Sequence, residues 1–544
     1  MNRRKFLWTA GGAAGLAHSL HGREEQAPKK EPQGNGEANE RQPEGPVVSA
    51  PFSPVQIGTS AQLFVERSIV RDTERVWYTL HPGEKHPRNP LIKADRDWEG
   101  WRIRTYGNGI FDEDEKSFKM WYTSQSPQTY FPRPGGSLLT NYAVSKDGVE
   151  WEKRLVGTIE SPKLGLRHNA VLAQEHANVI KDYAERDPSR RYKALCGEGD
   201  KPHAKHTFTS PDGLHWSRLS TKPVVDRVGD NTNAYYDEYR RIWVLFIKKP
   251  MIARGLQRRS FCLMASEDFV NWSEPQFAFV PDYDDDAGSL GRIERARPML
   301  GVPDDPKFMN TQFIGVGAYV AESCAVAFPW VLTVNNAGAY GGVEGIMEIQ
   351  LAASRDLVKW QRHFRTPCIP RGHIGEWDSG LFYTQSKAIR HDDEIWLYYS
   401  ASNFTHGDRY LQGNNEPPTS VRTQKTCSIG LVKWKLDRFV SADAGAEGGV
   451  LTTVPLTYTG SQVELNARVK RGGSIRAEFL DAAGRPIGNA GLSVPCTGDS
   501  LRSKVAWDGQ AEIVDRLKGK AVSLRFHLRN AELYSFAFRS ERVS

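Results

Sequence analysis

The chain predicts an all-β protein, a five-bladed β-propeller followed by a small antiparallel β-sandwich. Three observations lead there. One turn motif recurs four times, nearly every apolar run has the length and composition of a strand, and the patterning changes character after about residue 440.

The recurrent motif is Ser-x-Asp-x-x-x-Trp. It spans Ser145 to Trp151, Ser210 to Trp216, Ser266 to Trp272 and Ser354 to Trp360. Each copy follows a strand-like run, so its Asp is expected to cap a hairpin turn while its Trp packs between sheets. Runs such as Phe118-Lys-Met-Trp-Tyr122, Ile242-Trp-Val-Leu-Phe246 and Ile395-Trp-Leu-Tyr-Tyr399 are short, aromatic and β-branched, as strands are. A repeated group of short strands with an aromatic signature reads as a propeller blade. The motif Trp residues stand 65, 56 and 88 positions apart, so the blades carry insertions, the largest between Glu274 and Ile349. A fifth blade is expected from about Leu381 to Val440, with Ser428 to Trp434 as its closing strand and no Asp turn.

In chain order, residues 1–22 read as a twin-arginine-type export signal, from Arg3-Arg4-Lys5-Phe6-Leu7 and the Gly/Ala-rich run Thr9 to Leu20. That run is too short for a stable membrane anchor. The expected location is therefore the periplasm or the cell exterior. Residues 23–50 are rich in Glu, Lys, Pro, Gln and Gly and lack the apolar surface to offset ordering, so they read as a flexible linker. The propeller is expected over 51–441. Residues 449–544 alternate apolar and polar side chains, as in Gln462 to Val469 and Ser474 to Phe479, which predicts the sandwich.

The formal charge of +7 over 544 residues shows no basic stripe, which argues against a nucleic-acid partner. Six cysteines lie far apart with no Cys-x-x-Cys pair. Buried thiols are expected rather than zinc or a redox dithiol, and no metal-ligand spacing is present. The 15 Trp and 19 Tyr suit a protein that stacks aromatic faces on sugar rings.

The Ser-x-Asp turns, the aromatic second strands, and Asn89-Pro90-Leu91 followed by Asp97-Trp98-Glu99 resemble the five-bladed hydrolases of the invertase and arabinanase superfamily, glycoside hydrolase families 32 and 43 among them. The resemblance spans residues 58–440. It implies a funnel at one end of the propeller in which carboxylates from different blades act as nucleophile or base, as acid, and as tuning group. It implies a carbohydrate substrate and no cofactor, with a structural calcium ion in the channel compatible with the superfamily. The family's Asn-Asp-Pro-Asn-Gly, Arg-Asp-Pro and Glu-Cys motifs are absent, so residues are assigned by position at the start of each blade.

Asp378 and Asp230 are assigned acid/base or nucleophilic roles, with Glu99 and Glu376 in support. In Gly372-His-Ile-Gly-Glu376-Trp377-Asp378 a strand would place Glu376 and Asp378 on one side as a carboxylate pair. Asp230-Asn231 opens the third blade with short hydrogen-bonding side chains. Arg104, His176, Asn231, Trp377 and His406 are assigned to sugar binding. Two other readings stand beside glycoside hydrolysis: a non-catalytic carbohydrate-binding propeller, and a glycoside phosphorylase in which Arg102, Arg104 and Arg297 supply an anion pocket.

Overall fold

A computed structural model describes residues 53–540 except 133–136, 175, 199–200, 227, 339–341, 408–424, 488–490 and 511. The export signal and the linker expected over residues 1–50 lie outside the described residues.

The body is a five-bladed β-propeller. Its innermost strands are Ile103–Arg104 continued by Gly109–Asp112, then Asn178–Lys181, Thr232–Asp237, Asn310–Val320, and Phe382–Thr384 continued by Ile389–His391. Each pairs antiparallel with the next strand outward in its blade. The innermost strands begin at one end of the axis, called here the mouth.

The repeat motif works as its residue types predict. Asp147 Oδ1 accepts from the amides of Val149 and Glu150 at 2.9 and 2.8 Å, and the Gly148 amide donates to Ser145 Oγ at 2.8 Å. The other three Asp side chains each accept from the second and third amides that follow. The residue after each Asp is left-handed, glycine in two copies but Phe269 (φ 68°) and Leu357 (φ 61°) in the others. Those two tolerate the strained conformation because their side chains are buried in the blade interfaces. Each motif Trp wedges against the preceding blade. Trp151 meets Tyr398 of the fifth blade edge-on at 5.5 Å, and Trp360 packs on Phe246 and Phe279 of the third. Trp434 fills the equivalent slot of the fifth blade, stacked on Phe328 at 5.7 Å.

Two boundaries differ from expectation. The propeller does not begin at residue 51, because Val55–Gly58, Gln62–Leu63, Val70–Glu74 and Trp77–Leu80 pair with strands at the far end of the chain. Their partners lie hundreds of residues away, so no hairpin signal marks them. The fifth blade, in turn, is not made of residues 381–440 alone. Glu84–Lys85 pairs with Val432 and Lys433, and Ile92 bridges Ile429, so an N-terminal strand forms the outer edge of the last blade and closes the ring.

The C-terminal domain is an eight-stranded antiparallel sheet carried by two long strands, Gln462–Leu480 and Ser523–Arg539. It encloses its own core around Leu465, Phe479, Phe526 and Phe536. Val440–Ala444 belongs to this sheet, pairing with Trp77–Leu80 and with residues 531–533. The insertion between the third and fourth blades folds as two short helices, Tyr283–Ala287 and Ser289–Ala296.

Candidate functional site at the axial mouth

Adjacent innermost strands diverge around the axis, so side chains must satisfy the polar groups that meet there. Amides do this well, since each carries donors and an acceptor. Asn178 Nδ2 donates to the Thr232 carbonyl at 3.0 Å while its Oδ1 accepts from the Ala234 amide at 3.0 Å. Asn233 donates to Ser386 Oγ at 3.1 Å and accepts from the Val316 amide at 3.2 Å. Asn108 accepts from the Lys387 amide at 3.1 Å, and Gln385 accepts from the Gly109 amide at 3.0 Å. These four amides and Ser386 are buried, and together they close the axis. This network does not suit the calcium ion the resemblance allows: it holds no carboxylate, and its amide oxygens already accept N–H groups.

Above this plug the five blades converge. Arg104 donates to Tyr106 Oη at 3.1 Å and lies over its ring. The Tyr106 ring is 3.9 Å from that of His176 and 5.0 Å from that of Tyr383, and Trp330 of the fourth blade stands 5.6 Å away. His176 has φ 57°, a region where a side-chain-bearing residue persists only when its surroundings hold it. Its amide donates to Thr123 Oγ1 at 3.1 Å, and its Nδ1 stands 3.4 Å from the Asp230 carbonyl. Lys205 Nζ donates to that same carbonyl at 2.7 Å. The Asp230 carboxylate pairs with Lys248 and retains 45% side-chain exposure. Asn231 donates to the Ile314 carbonyl at 2.8 Å, tying the third blade to the fourth. Arg259 donates to Gln312 Oε1 at 2.6 Å on the same side.

Of the residues assigned from sequence, Arg104, His176, Asp230 and Asn231 meet here. Asp378 does not. It is 2% exposed, receives Lys85 Nζ at 2.6 Å and the Tyr399 hydroxyl at 3.0 Å, and so fastens the closing strand to the fifth blade. Burial and this carboxylate push the Tyr399 phenol well up. Residues 374–380 form turns and bends rather than a strand, so Glu376 and Asp378 are not a face-sharing pair. Glu376 is exposed and caps its own turn through the His373 amide at 2.8 Å. Trp377 stacks on Tyr399 at 5.5 Å. Glu99 is fully buried, holding Lys153 Nζ at 2.7 Å and the amides of Asp95 and Arg96; it also accepts from Tyr122, whose pKa burial raises far above its usual value. His406 lies buried at the fourth and fifth blades, its Nδ1 2.8 Å from the Val343 carbonyl. Arg297, a candidate anion ligand, is instead engaged by Asp304 and Glu294.

Lys205, Lys248, Arg259 and Tyr383 were missed. The first three project from second or third strands, and only strand register brings them to the axis. Lys248-Lys249 interrupting the apolar run Ile242 to Ile252 is the signal that marks one of them. Among the described residues no group of three His, Cys, Asp or Glu side chains is placed to hold a metal ion.

No protein-family model matches the chain, and no curated protein sequence matches it. Among solved structures, the β-1,2-mannobiose phosphorylase from Listeria innocua is 11% identical over 68% of this chain and 98% of its own, with a TM-score of 0.39. A fructofuranosidase from Schwanniomyces occidentalis is 11% identical over 82% and 97%, with a TM-score of 0.37. An N-acetylgalactosamine deacetylase from F. plautii is 14% identical over 71% and 97%, with a TM-score of 0.35. At these levels the chemistry must be read from this chain's own residues.

Proposed function

We propose that the chain cleaves glycosidic bonds at the axial mouth. The observation that supports this is the convergence, from all five blades, of Asp230, whose carboxylate is half-exposed and whose main-chain carbonyl faces His176, with Tyr106, Arg104, Trp330 and Tyr383. Aromatic rings take the C–H faces of a pyranose, and the surrounding donors take its hydroxyls. In hydrolysis a water oxygen bonds to the anomeric carbon as the bond to the leaving oxygen breaks, and that oxygen gains a proton. The ion pair with Lys248 holds the Asp230 carboxylate in place at the mouth, as a base or nucleophile requires.

The cations around Asp230 favour a second reading, phosphorolysis, in which a phosphate oxygen replaces water as the attacking atom. Lys205, Lys248, Arg104 and Arg259 are the groups that would hold the dianion. A panel of oligosaccharides and aryl glycosides assayed with and without inorganic phosphate separates the two. Cleavage that requires phosphate and releases a sugar 1-phosphate selects phosphorolysis. Saccharide binding without turnover in either buffer would instead mark a binding module.

The proposal extends to export through Arg3-Arg4-Lys5-Phe6-Leu7. An Arg3→Lys/Arg4→Lys variant is expected to accumulate in the cytoplasm, and unchanged export would refute the signal.

A further inference from the structure

A cavity of about 370 Å³ lies between the helix Ser289–Ala296 and the loop that enters the fifth blade. Arg292, Arg295, Arg371 and His373 line it, with Glu348 its one lining carboxylate and Phe382 on its wall. Phe382 and Tyr383 are consecutive on the innermost strand of the fifth blade, so that strand contributes one side chain to the cavity and the next to the mouth.

The guanidinium groups there are unusual in their company. Buried charges are ordinarily paired with opposite charges, because an isolated one loses its hydration without return. Arg292 is among the largest fully buried side chains, yet it donates only to neutral oxygens: Thr333 Oγ1 at 2.7 Å, Thr311 Oγ1 at 2.9 Å and the Asp285 carbonyl. Arg371 donates to the Met347 carbonyl at 3.1 Å. Among the described residues none of Arg292, Arg295 and Arg371 has a carboxylate within ion-pair distance. Glu348 is turned to Gln350, whose Nε2 donates to it at 2.8 Å. Burial depresses the pKa of both Arg292 and Arg371, outweighing the opposing charge of Glu348 near both and of Asp285 near Arg292. The contrast with the adjoining acidic helix is direct, since Asp285 and Asp286 there pair fully with Arg362, Arg365, Arg254 and Arg258.

We infer that this cavity is an anion subsite for the charged group of an acidic glycan, a uronate carboxylate or a sulfate ester, held by Arg371 and Arg295 against the buried Arg292. The inference rests on the carbohydrate reading of the mouth and specifies its substrate class. Planar guanidinium forks match either oxyanion bidentately. The bound anion supplies the charge that the protein omits.

The test uses the full chain and isothermal titration with four probes: an oligogalacturonide, a sulfated oligosaccharide, a neutral oligosaccharide of equal length, and inorganic phosphate. One or both anionic sugars are expected to bind at least about tenfold more tightly than the neutral one at low salt, the worth of one charge-assisted hydrogen bond. Arg371→Gln and Arg295→Gln, whose side chains are only partly buried or exposed, are expected to remove that preference while leaving affinity for the neutral sugar and the melting temperature unchanged. Arg292→Gln serves as a third variant only if it folds. Equal affinity for charged and neutral sugars, or a preference that survives both variants, would overturn the subsite while leaving the glycosidic reading intact. Binding of phosphate through Arg371 with no response to any sugar would overturn the glycan assignment itself.

Discussion

Asp378 separates a structural from a catalytic role, and the structure sets the magnitude. Its carboxylate is 2% exposed and accepts from Lys85 Nζ at 2.6 Å and Tyr399 Oη at 3.0 Å. Lys85 comes from the N-terminal strand that closes the ring, so the pair joins residues 293 positions apart. Removing one partner of a fully buried pair costs about 3–5 kcal/mol. The Lys85 side chain keeps 24% of its exposure and recovers part of its hydration when the carboxylate goes. Asp378→Asn is therefore expected to destabilise by about 2–3 kcal/mol. At about 2–4 °C per kcal/mol for domains of 150–250 residues, its melting temperature should fall by no more than about 12 °C. A double-mutant cycle with Lys85→Met, followed by thermal and urea unfolding, should return a coupling of about 1–3 kcal/mol. Turnover well below the melting temperature should be within a few-fold of the parent. A variant with parental stability and no activity would refute this assignment and return Asp378 to the chemistry.

Asp230→Asn is expected to abolish turnover at the mouth with circular dichroism unchanged and melting little changed, because the half-exposed position accepts an isosteric amide whose oxygen can still take the Lys248 ammonium; retained turnover would sink the proposed site. Asp437 is buried and accepts from Tyr319 Oη at 3.5 Å. Burial first, then the charge of Glu322, raises its pKa to about 6, against about 3.9 unfolded. Between those values the folded chain binds the extra proton, so stability falls as pH rises from about 4 to 6 and is level above. Asp437→Asn, which suits the left-handed φ of 61° there, should be more stable than the parent by about 2–3 kcal/mol at pH 8 and no different at pH 4. The four motif Asp residues have lowered pKa values, Asp212 to about 2 through amide and His215 hydrogen bonds that outweigh burial. Their contribution is present above the unfolded carboxylate pKa and lost as pH falls through the folded values, so Asp212→Ala should narrow the gap to the parent between pH 5 and 2 in urea titrations.

What was legible depended on the range of the interaction. The Ser-x-Asp turn closes its hydrogen bonds within three residues, so residue types and spacing alone reveal it, and the blade count follows. The Lys85–Asp378 bond and the pairing of Val70–Glu74 with Gly449–Thr453 join opposite ends of the chain. No local pattern encodes them, and the propeller boundary at residue 51 was misplaced for that reason. Asp378 was assigned to catalysis on strand alternation, which does not apply where residues 374–380 turn. Asp230 and His176 lie at the mouth because they start blades, a position the repeat defines. Lys205 and Arg259 were missed, because a strand interior carries no mark of which end of the axis it faces.

The amide plug constrains how the mouth can be used. With Asn108, Asn178, Asn233, Gln385 and Ser386 buried and bonded across the blades, no polymer threads the axis. A ligand at the mouth must enter and leave on the same side. A glycan would then present an end, or a short branch, with its next units running outward over the rim. The arginine cavity shares the innermost strand of the fifth blade with that mouth, so a charged group recognised there would belong to a unit near the terminus rather than to a distant repeat. Length dependence therefore tests the geometry: affinity should stop rising after about two to four sugar units, whereas a continued rise with chain length would require a groove along the blades and would contradict a closed, end-on site.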